Sequence, residues 1–281
     1  MVMGMVLDGM IIMIILLTIK KEKKKEELVY SYRVRAAGPL TPVGQSLCHP
    51  FRCGKFIFMH NGVIGGFERV QRTLLGLVHG IAFDIAMAHS AIDSAVAFAI
   101  FLTELCPNPV SINESYEKMN YDANAIRKAM EKTVLKIRHE CEIAYKDTPL
   151  SLPSSLANFL VSDGHTIIAT RYAWGRQGEV VASCSLYYIT GSKWAYFPTS
   201  NNTPRNSGIR KSMVDNYHMV HTDPRAKVAI VSSEPLNTIH DEWTPVPHNH
   251  TLVYTRGKEG YMNTNNNKKK KEKSMGGPLW S

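Results

Sequence analysis

The stretch of residues 48–75 constrains the fold most, because it joins a short apolar strand to a glycine-rich turn and a helical pattern. The strand is predicted at residues 56–59, and it ends in His60-Asn61-Gly62. Gly65-Gly66 then precedes apolar residues at helical spacing. An Asn-Gly pair after a strand is commonly a hairpin turn, since both residues tolerate the φ angles of tight turns. On this stretch alone, the hairpin interpretation is favoured.

The chain has 281 residues, of which 44% are apolar, so it is long enough to bury a core. We interpret residues 28–255 as one domain. The formal net charge of +9 lies mainly in two tails, with +2 on residues 20–27 and +5 on residues 256–281. Because aromatic and basic residues do not interleave within the domain, nucleic-acid binding is not indicated. Five cysteines without paired spacing, in a chain lacking a clear secretory signal, favour reduced thiols and a cytoplasmic setting.

Residues 1–27 form an atypical apolar and lysine-rich segment. Its run of Ile, Leu and Met at residues 9–19 is shorter than the roughly 20 residues needed to span a bilayer, and Asp8 interrupts its extension. Three interpretations remain open: a marginal signal anchor, a buried strand, or sequence foreign to the native protein. We favour the third. Residues 256–281, rich in Asn and Lys, are predicted to be disordered because they bury too little apolar surface.

The remaining pattern favours a layered α+β domain, because helices are inserted between two sets of strands. Apolar spacing predicts helices at 68–75, 91–105 and 123–145. From residue 155 the pattern changes to β, with a hairpin of residues 156–162 and 165–170 around Asp163-Gly164. Further strands are predicted at 180–190, 227–232 and 251–255, with a surface loop at 199–216.

Several polar residues are candidates for a site, and each has a purely structural alternative. Arg35 follows a strand pattern and suits carboxylate binding, although a lone arginine is commonly solvated. Asp93 begins a helix, where the helix dipole alone favours a carboxylate. Cys48, Cys53 and the histidines near them lack a second close pair of ligands, so a zinc site is not favoured.

An ordered set of segments carries more information than any of these residues alone. In chain order the segments are Val34-Arg35-Ala36-Ala37, Cys48-His49-Pro50-Phe51, His60-Asn61-Gly62, Asp93-Ser94, Leu156-Ala157-Asn158-Phe159, Ser162-Asp163-Gly164, Ala169-Thr170-Arg171-Tyr172, Ser232-Ser233-Glu234-Pro235-Leu236 and Trp243-Thr244-Pro245-Val246-Pro247. This set resembles the class II (N-terminal-nucleophile) glutamine amidotransferases. The likeness is strongest to the stand-alone branch that includes the amidotransferase-like subunit of the fungal glutathione-degrading complex.

The resemblance implies a four-layer αββα sandwich and a site for a γ-glutamyl amide. It implies that Arg35 binds the α-carboxylate, that Asp93 binds the α-amino group, and that the Asn61 side chain and the Gly62 N–H form an oxyanion hole. The substrate would be glutamine or a γ-glutamyl peptide such as glutathione, with a peptidase-like partner subunit and with no cofactor, metal, nucleic acid or membrane. The chain departs from the family at Gly38, where Thr is usual, and at Ala95, where Glu is usual.

The family's nucleophile is a cysteine that becomes the first residue after removal of the initiator Met, so that its α-amine can act as the base. This chain begins Met1-Val2, and all five cysteines follow Arg35. Two classes of function remain: a hydrolase whose native N-terminus begins Met-Cys, which we favour, and a catalytically silent γ-glutamyl-binding or partner-binding subunit. We expect the written chain to lack glutaminase activity, and the family's N-terminal strand to be missing or replaced. A missing strand would leave a central position of the sheet unfilled.

Overall fold

The structure is a computed structural model that describes residues 12–18, 28–34, 47–176, 179–197, 216–222 and 228–256. Arg35, nearly all of the predicted loop at 199–216 and residues 257–281 of the tail lie outside these ranges. Within them, helices lie beside antiparallel sheets, and the α+β prediction is confirmed.

One sheet, called sheet 1, contains the N-terminal strands. Its five strands, in spatial order, are β11 (Thr244–Pro245), β7 (Tyr187–Gly191), β10 (Val228–Ser232), β1 (Ile12–Thr18) and β2 (Leu28–Val34). A separate pair, β8 (Lys193–Tyr196) and β9 (Tyr217–Val220), forms a small two-stranded sheet. The strand predicted at 180–190 is thus shorter and later than expected, beginning only at Tyr187.

The second large sheet, called sheet 2, includes the strand that was predicted at residues 56–59. Its spatial order is β12 (His250–Thr255), β6 (Thr166–Trp174), β5 (Ser155–Ser162), β4 (Phe56–Val63) and β3 (Phe51–Cys53). The predicted hairpin around Asp163-Gly164 is confirmed as β5 and β6. All neighbouring strands in both sheets run antiparallel.

An interior position of sheet 1 is filled by β1, so the expectation of an unfilled position is wrong. β1 lies between β10 and β2, so that Leu16 is opposite Ile230 on one side and Tyr30 on the other. A continuous apolar run bounded by polar residues is typical of an interior strand, which was one of the three open interpretations. Because β1 pairs with strands on both sides, the backbone N–H groups that an unfilled position would leave without partners can form hydrogen bonds with it.

Four α-helices pack together on one face of sheet 2. They are α1 (Phe67–Leu75), α2 (Gly80–Ala88), α3 (Asp93–Leu105) and α4 (Ala123–Lys146). The predictions of α1, α3 and α4 are confirmed within a few residues, whereas α2 was missed. Its mostly apolar sequence, GIAFDIAMA, shows little helical periodicity because apolar residues also lie on its outer side, where Phe83 is 39% and Met87 is 50% exposed. A π-helical turn follows α3 at Ile112–Lys118.

Three apolar clusters give the order of the layers. The largest joins the helices to sheet 2, and a second joins Met59, Leu160 and Leu252 of sheet 2 to Ala229 and Val231 of sheet 1. A third lies on sheet 1 and includes residues of the β8–β9 pair. The described residues therefore form a helical layer, sheet 2 and sheet 1 in succession. Among the described residues, the β8–β9 pair packs against the outer face of sheet 1.

Candidate active site

The side chains of β4 alternate between the two faces of sheet 2. Neighbouring residues of the candidate site therefore point to opposite sides of the sheet. Phe58 belongs to the cluster that joins the helices to the sheet, whereas Met59 belongs to the cluster between the two sheets. His60 accordingly contacts α3, and Asn61 contacts Ser233 at the end of β10. Asn61 therefore points between the sheets and His60 points toward the helices.

Asn61 and Gly62 do not form a hairpin corner, because both lie inside the ladder of β4 and β5. Asn61 is opposite Asn158, and Gly62 is opposite Ala157. The hairpin interpretation, which the short stretch alone favoured, is therefore wrong. The strand continues to Val63, and the turn comes after it at Gly65-Gly66.

Gly62 is required at its position by the close approach of the neighbouring strand. Its φ angle is +149°, and a Cβ there would lie 1.8 Å from the carbonyl oxygen of Leu156. The Nε2 atom of His60 would lie 3.0 Å from the same Cβ. No other residue type fits without movement of the backbone, so the absence of a side chain leaves the Gly62 peptide in close contact with β5.

Asp93 is the first residue of α3 and reaches back to the end of β4. Its Oδ2 accepts a hydrogen bond from the backbone N–H of Ile64 at 3.2 Å. Its Oδ1 accepts from the N–H of Ser94 at 2.7 Å and from the Ser94 hydroxyl at 3.1 Å. An ionised carboxylate offers about four acceptor sites, and 17% of this side chain is exposed. Asp93 therefore supports the helix start and retains acceptor capacity for a cation.

His60 links the two strands of the site to Asp93, and sequence reasoning missed this role. Its Nε2 lies 2.9 Å from the carbonyl oxygen of Leu156, and its Nδ1 lies 3.0 Å from Oγ of Ser94. Since a carbonyl oxygen only accepts, Nε2 must carry a proton. The fully buried ring is also 3.9 Å from Oδ2 of Asp93. His60 thus fixes the Leu156 peptide that meets Gly62, and it joins the network around Asp93.

A second polar group lies on the other face of β4, between the sheets. The Nδ2 of Asn61 donates to Oγ of Ser233 at 2.8 Å. The Nδ2 of Asn158 donates to the carbonyl oxygens of Cys184 and Ser185 at 3.2 and 3.0 Å. Nε of Arg171 also donates to the Cys184 carbonyl, at 2.9 Å. Sequence reasoning did not identify Asn158, Ser233 or Arg171 as site residues, although all belong to the matching segments.

The structure therefore brings three of the four predicted residues to one end of β4. Asn61 and Gly62 are adjacent, and Asp93 binds the backbone two residues beyond Gly62. The Asn61 side chain, however, lies between the sheets, whereas Asp93 approaches from the helical side. Arg35 directly follows β2 in the chain but lies outside the described residues, so its role stays a prediction.

Burial dominates the ionisation of three of the five cysteines, Cys53, Cys141 and Cys184. Burial raises the pKa of Cys53 to about 11 and that of Cys141 to about 12. The pKa of Cys184 is also raised by burial, although the nearby Arg171 acts in the opposite direction. A raised thiol pKa disfavours the thiolate that a nucleophile requires. These three thiols are packed side chains.

Two further properties of the described residues bear on function. Across the described ranges, no three His, Cys, Asp or Glu side chains come together as a metal site. Among the helices of the same ranges, none is both long and apolar enough to cross a bilayer.

Comparison with known proteins relates the chain to glutamine amidotransferases. No family model matches it. The chain is 30% identical over 233 residues to the probable glutamine amidotransferase DUG3 of Saccharomyces cerevisiae, a match that covers 83% of this chain and 58% of the yeast protein. The match therefore spans less than two thirds of that relative.

A solved structure shares the fold at low sequence identity. A glutamine aminotransferase class-II domain protein of Silicibacter pomeroyi superposes with a TM-score of 0.50 at 16% identity, covering 91% of this chain and 98% of that one. A predicted glutamine amidotransferase of Pseudomonas aeruginosa gives a TM-score of 0.46 at 17% identity, covering 90% and 86% of the two chains. The chain is thus homologous to a probable glutamine amidotransferase of yeast, and its α+β fold is similar to that of the Silicibacter class-II domain protein.

Proposed function

We propose that this chain provides the γ-glutamyl-amide site of a glutamine amidotransferase of the class II, N-terminal-nucleophile kind. One observation carries the proposal: the Asp93 carboxylate lies 3.2 Å from the N–H of Ile64, only two residues beyond Gly62. The contact holds the Asp93 carboxylate, which can bind an ammonium group, near the end of the strand that carries Asn61 and Gly62, which are the proposed oxyanion donors. The homology to DUG3 supports the same assignment.

The chemistry expected at this site is addition of a nucleophile to the γ-carbonyl carbon, which places negative charge on the carbonyl oxygen. The Gly62 N–H and the Nδ2 of Asn61 would stabilise that oxyanion. One of the two Nδ2 hydrogens is bonded to Ser233, and the second remains for the substrate. Loss of one fixed donor of this type costs about 10² to 10³ in rate. Asp93 would hold the α-ammonium group and Arg35 the α-carboxylate.

The nucleophile is the part of this mechanism that the written sequence does not supply. All five cysteines follow Arg35 in the chain, and burial raises the pKa of Cys53, Cys141 and Cys184. A cysteine that follows the initiator Met stays our prediction for the hydrolase, together with the full αββα sandwich. The order of the described layers, helices then two sheets, supports that architecture.

The proposed substrate is glutamine or a γ-glutamyl peptide such as glutathione, and a peptidase-like subunit is the proposed partner. We propose the cytoplasm as the location, which the unpaired spacing of the five cysteines supports. The alternative is a catalytically silent subunit that binds a γ-glutamyl group or a partner. The arrangement around Gly62 favours the hydrolase over this alternative.

Calorimetry on the purified full chain tests the site without requiring a nucleophile. We expect L-glutamine to bind, and Asp93→Asn to weaken binding by about 1.5 to 3 kcal/mol, because a charge-assisted bond to the α-ammonium is lost. This loss corresponds to roughly a 10- to 100-fold rise in Kd. N-acetylglutamine, which lacks the ammonium group, should bind wild type and variant equally weakly.

Asp122→Asn is the matched control, because Asp122 also starts a helix and accepts a hydrogen bond from the N–H of Ala125. This variant should bind glutamine as the wild type does. Equal glutamine affinities for the wild type and Asp93→Asn would refute the assignment of Asp93. A wild-type chain that binds no γ-glutamyl compound would refute the proposed function as a whole.

A further inference from the structure

Asn158 is a fully buried side chain that faces the candidate oxyanion residue. It lies directly opposite Asn61 in the antiparallel ladder of β4 and β5. Residues paired in this way project to the same face of a sheet, with Cβ atoms about 4.5 to 5.5 Å apart. The two asparagine side chains therefore lie side by side in the space between the sheets.

Chemistry determines the orientation of the Asn158 amide. Its Nδ2 lies 3.2 and 3.0 Å from the carbonyl oxygens of Cys184 and Ser185, which can only accept hydrogen bonds. A flipped amide would instead place Oδ1 against two oxygens and lose both bonds. Both Nδ2 hydrogens are thus used within the protein, and Oδ1 points away from these carbonyls.

The Oδ1 atom of Asn158 accepts no hydrogen bond from any residue in the described part of the chain, although it is buried. Asn237 shows the usual arrangement of a buried asparagine. Its Nδ2 donates to Tyr217, and its Oδ1 accepts from the N–H of Ile239 and from Nε1 of Trp243. A buried acceptor without a donor lowers stability, so an atom of this kind is a candidate acceptor for a ligand's hydrogen bond.

We propose that Oδ1 of Asn158 accepts the N–H of the substrate's γ-carboxamide and so determines specificity for amides. This inference rests on the proposed function and names the substrate class of the same site. Asn61 offers a free Nδ2 hydrogen, and Asn158, facing it, offers a free acceptor. Together they match the carbonyl oxygen and the N–H of one carboxamide group. A carboxylate or an ester would instead place an oxygen against Oδ1, which no hydrogen bond would compensate.

A pair of ligands tests this inference on the unmodified full chain. The γ-methylamide and the γ-methyl ester of L-glutamate differ only in an N–H that is replaced by oxygen. Calorimetry should show that the methylamide binds about 3- to 10-fold more tightly, as expected for one net hydrogen bond. Equal affinities, or tighter binding of the ester, would overturn the assignment of Asn158.

Two alanine variants then test whether Asn158 causes the preference for the methylamide over the ester. Asn158→Ala should bind the methylamide and the ester equally, whereas Asn237→Ala, the matched buried control, should keep the wild-type preference. A preference that survives in folded Asn158→Ala, judged by circular dichroism, would also overturn the inference. If the variant does not fold, the ligand pair on the wild type still decides. Binding of neither ligand to the wild type would refute the proposed glutamyl site itself, and the inference with it.

Discussion

Replacement of Gly62 by alanine is the sharpest test of how the two strands meet at the site. A Cβ at this position would lie 1.8 Å from the Leu156 oxygen and 2.6 Å from the Leu156 carbonyl carbon. These contacts are with backbone atoms of the neighbouring strand, which no side-chain rotation can relieve. The strands must therefore separate, and the His60 hydrogen bond to the same carbonyl must lengthen or break.

The magnitude follows from two terms. Overpacking in a dense interior costs typically about 1 to 3 kcal/mol and occasionally more. The lost hydrogen bond of His60 leaves buried polar groups unpaired, at about 1 to 3 kcal/mol. Together they predict a loss of roughly 2 to 6 kcal/mol, which is a large share of a typical unfolding free energy of about 5 to 15 kcal/mol. Glutamine binding should fall in parallel, because the proposed oxyanion donors move.

Gly80→Ala is the control that distinguishes the cost of a positive φ angle from the cost of the steric clash at Gly62. Gly80 also has a positive φ, +54°, but a Cβ there would meet nothing within 4 Å. It should therefore cost only about 1 to 2 kcal/mol, from the left-handed conformation alone. Urea unfolding of both variants, followed by circular dichroism, measures the two losses. If Gly62→Ala is no less stable than Gly80→Ala, the close approach of Leu156 to Gly62 is refuted.

Three further predictions concern binding, stability and activity. Arg35→Ala should weaken glutamine binding by roughly 1.5 to 3 kcal/mol through loss of a charge-assisted partner, and equal affinities in calorimetry would contradict that role. Burial raises the pKa of Cys53 from 9.0 to about 11 and that of Cys141 from 9.0 to about 12. The protonated thiols therefore contribute fully to the free energy of unfolding below pH 9, and this contribution is lost as the pH rises through the raised pKa values. Urea midpoints at about pH 8 and about pH 10.5 should therefore fall less in a Cys141→Ala variant than in the wild type. The chain as written should release no ammonia from glutamine in a coupled enzymatic assay, and release would show that a nucleophile lies among the groups present.

Sequence patterns predicted the regular parts of the fold because each has one periodicity. The 24 residues of α4 show apolar residues at helical spacing, and the Asp163-Gly164 turn marks its hairpin directly. Patterns failed where apolar residues occupy both sides of an element. The apolar α2 was missed for this reason, because Phe83 and Met87 are exposed while Ala82 and Ala86 are buried. The apolar run of β1 was left open between three interpretations, and the structure places it between two strands.

The candidate site was predicted in part for a related reason. Asn61, Gly62 and Asp93 stand in motifs that resemble a family, so their identity was accessible from sequence. The roles of His60, Ser94 and Asn158 depend on contacts between residues that are 34 to 97 positions apart in the chain, such as His60 with Leu156 and Asn158 with Asn61. No local pattern reports such contacts. Their cause is tertiary: antiparallel register and the packing of α3 on sheet 2 bring these residues together.

The spacing along β4 also limits which ligands fit the proposed site. The N–H groups of Gly62 and Ile64 are two residues apart. Because β4 ends at Val63, they lie at most about 6 to 7 Å from each other, which is the span of two extended residues. Four bonds of about 1.5 Å separate the α-nitrogen of glutamine from its γ-carbonyl carbon, so these atoms are about 5 Å apart when extended. An α-ammonium at Asp93 and a γ-carbonyl at Gly62 are therefore compatible with one extended glutamyl group. Asparagine is one methylene shorter and should not reach both ends, so it should bind more weakly than glutamine to the wild type but lose less affinity in Asp93→Asn.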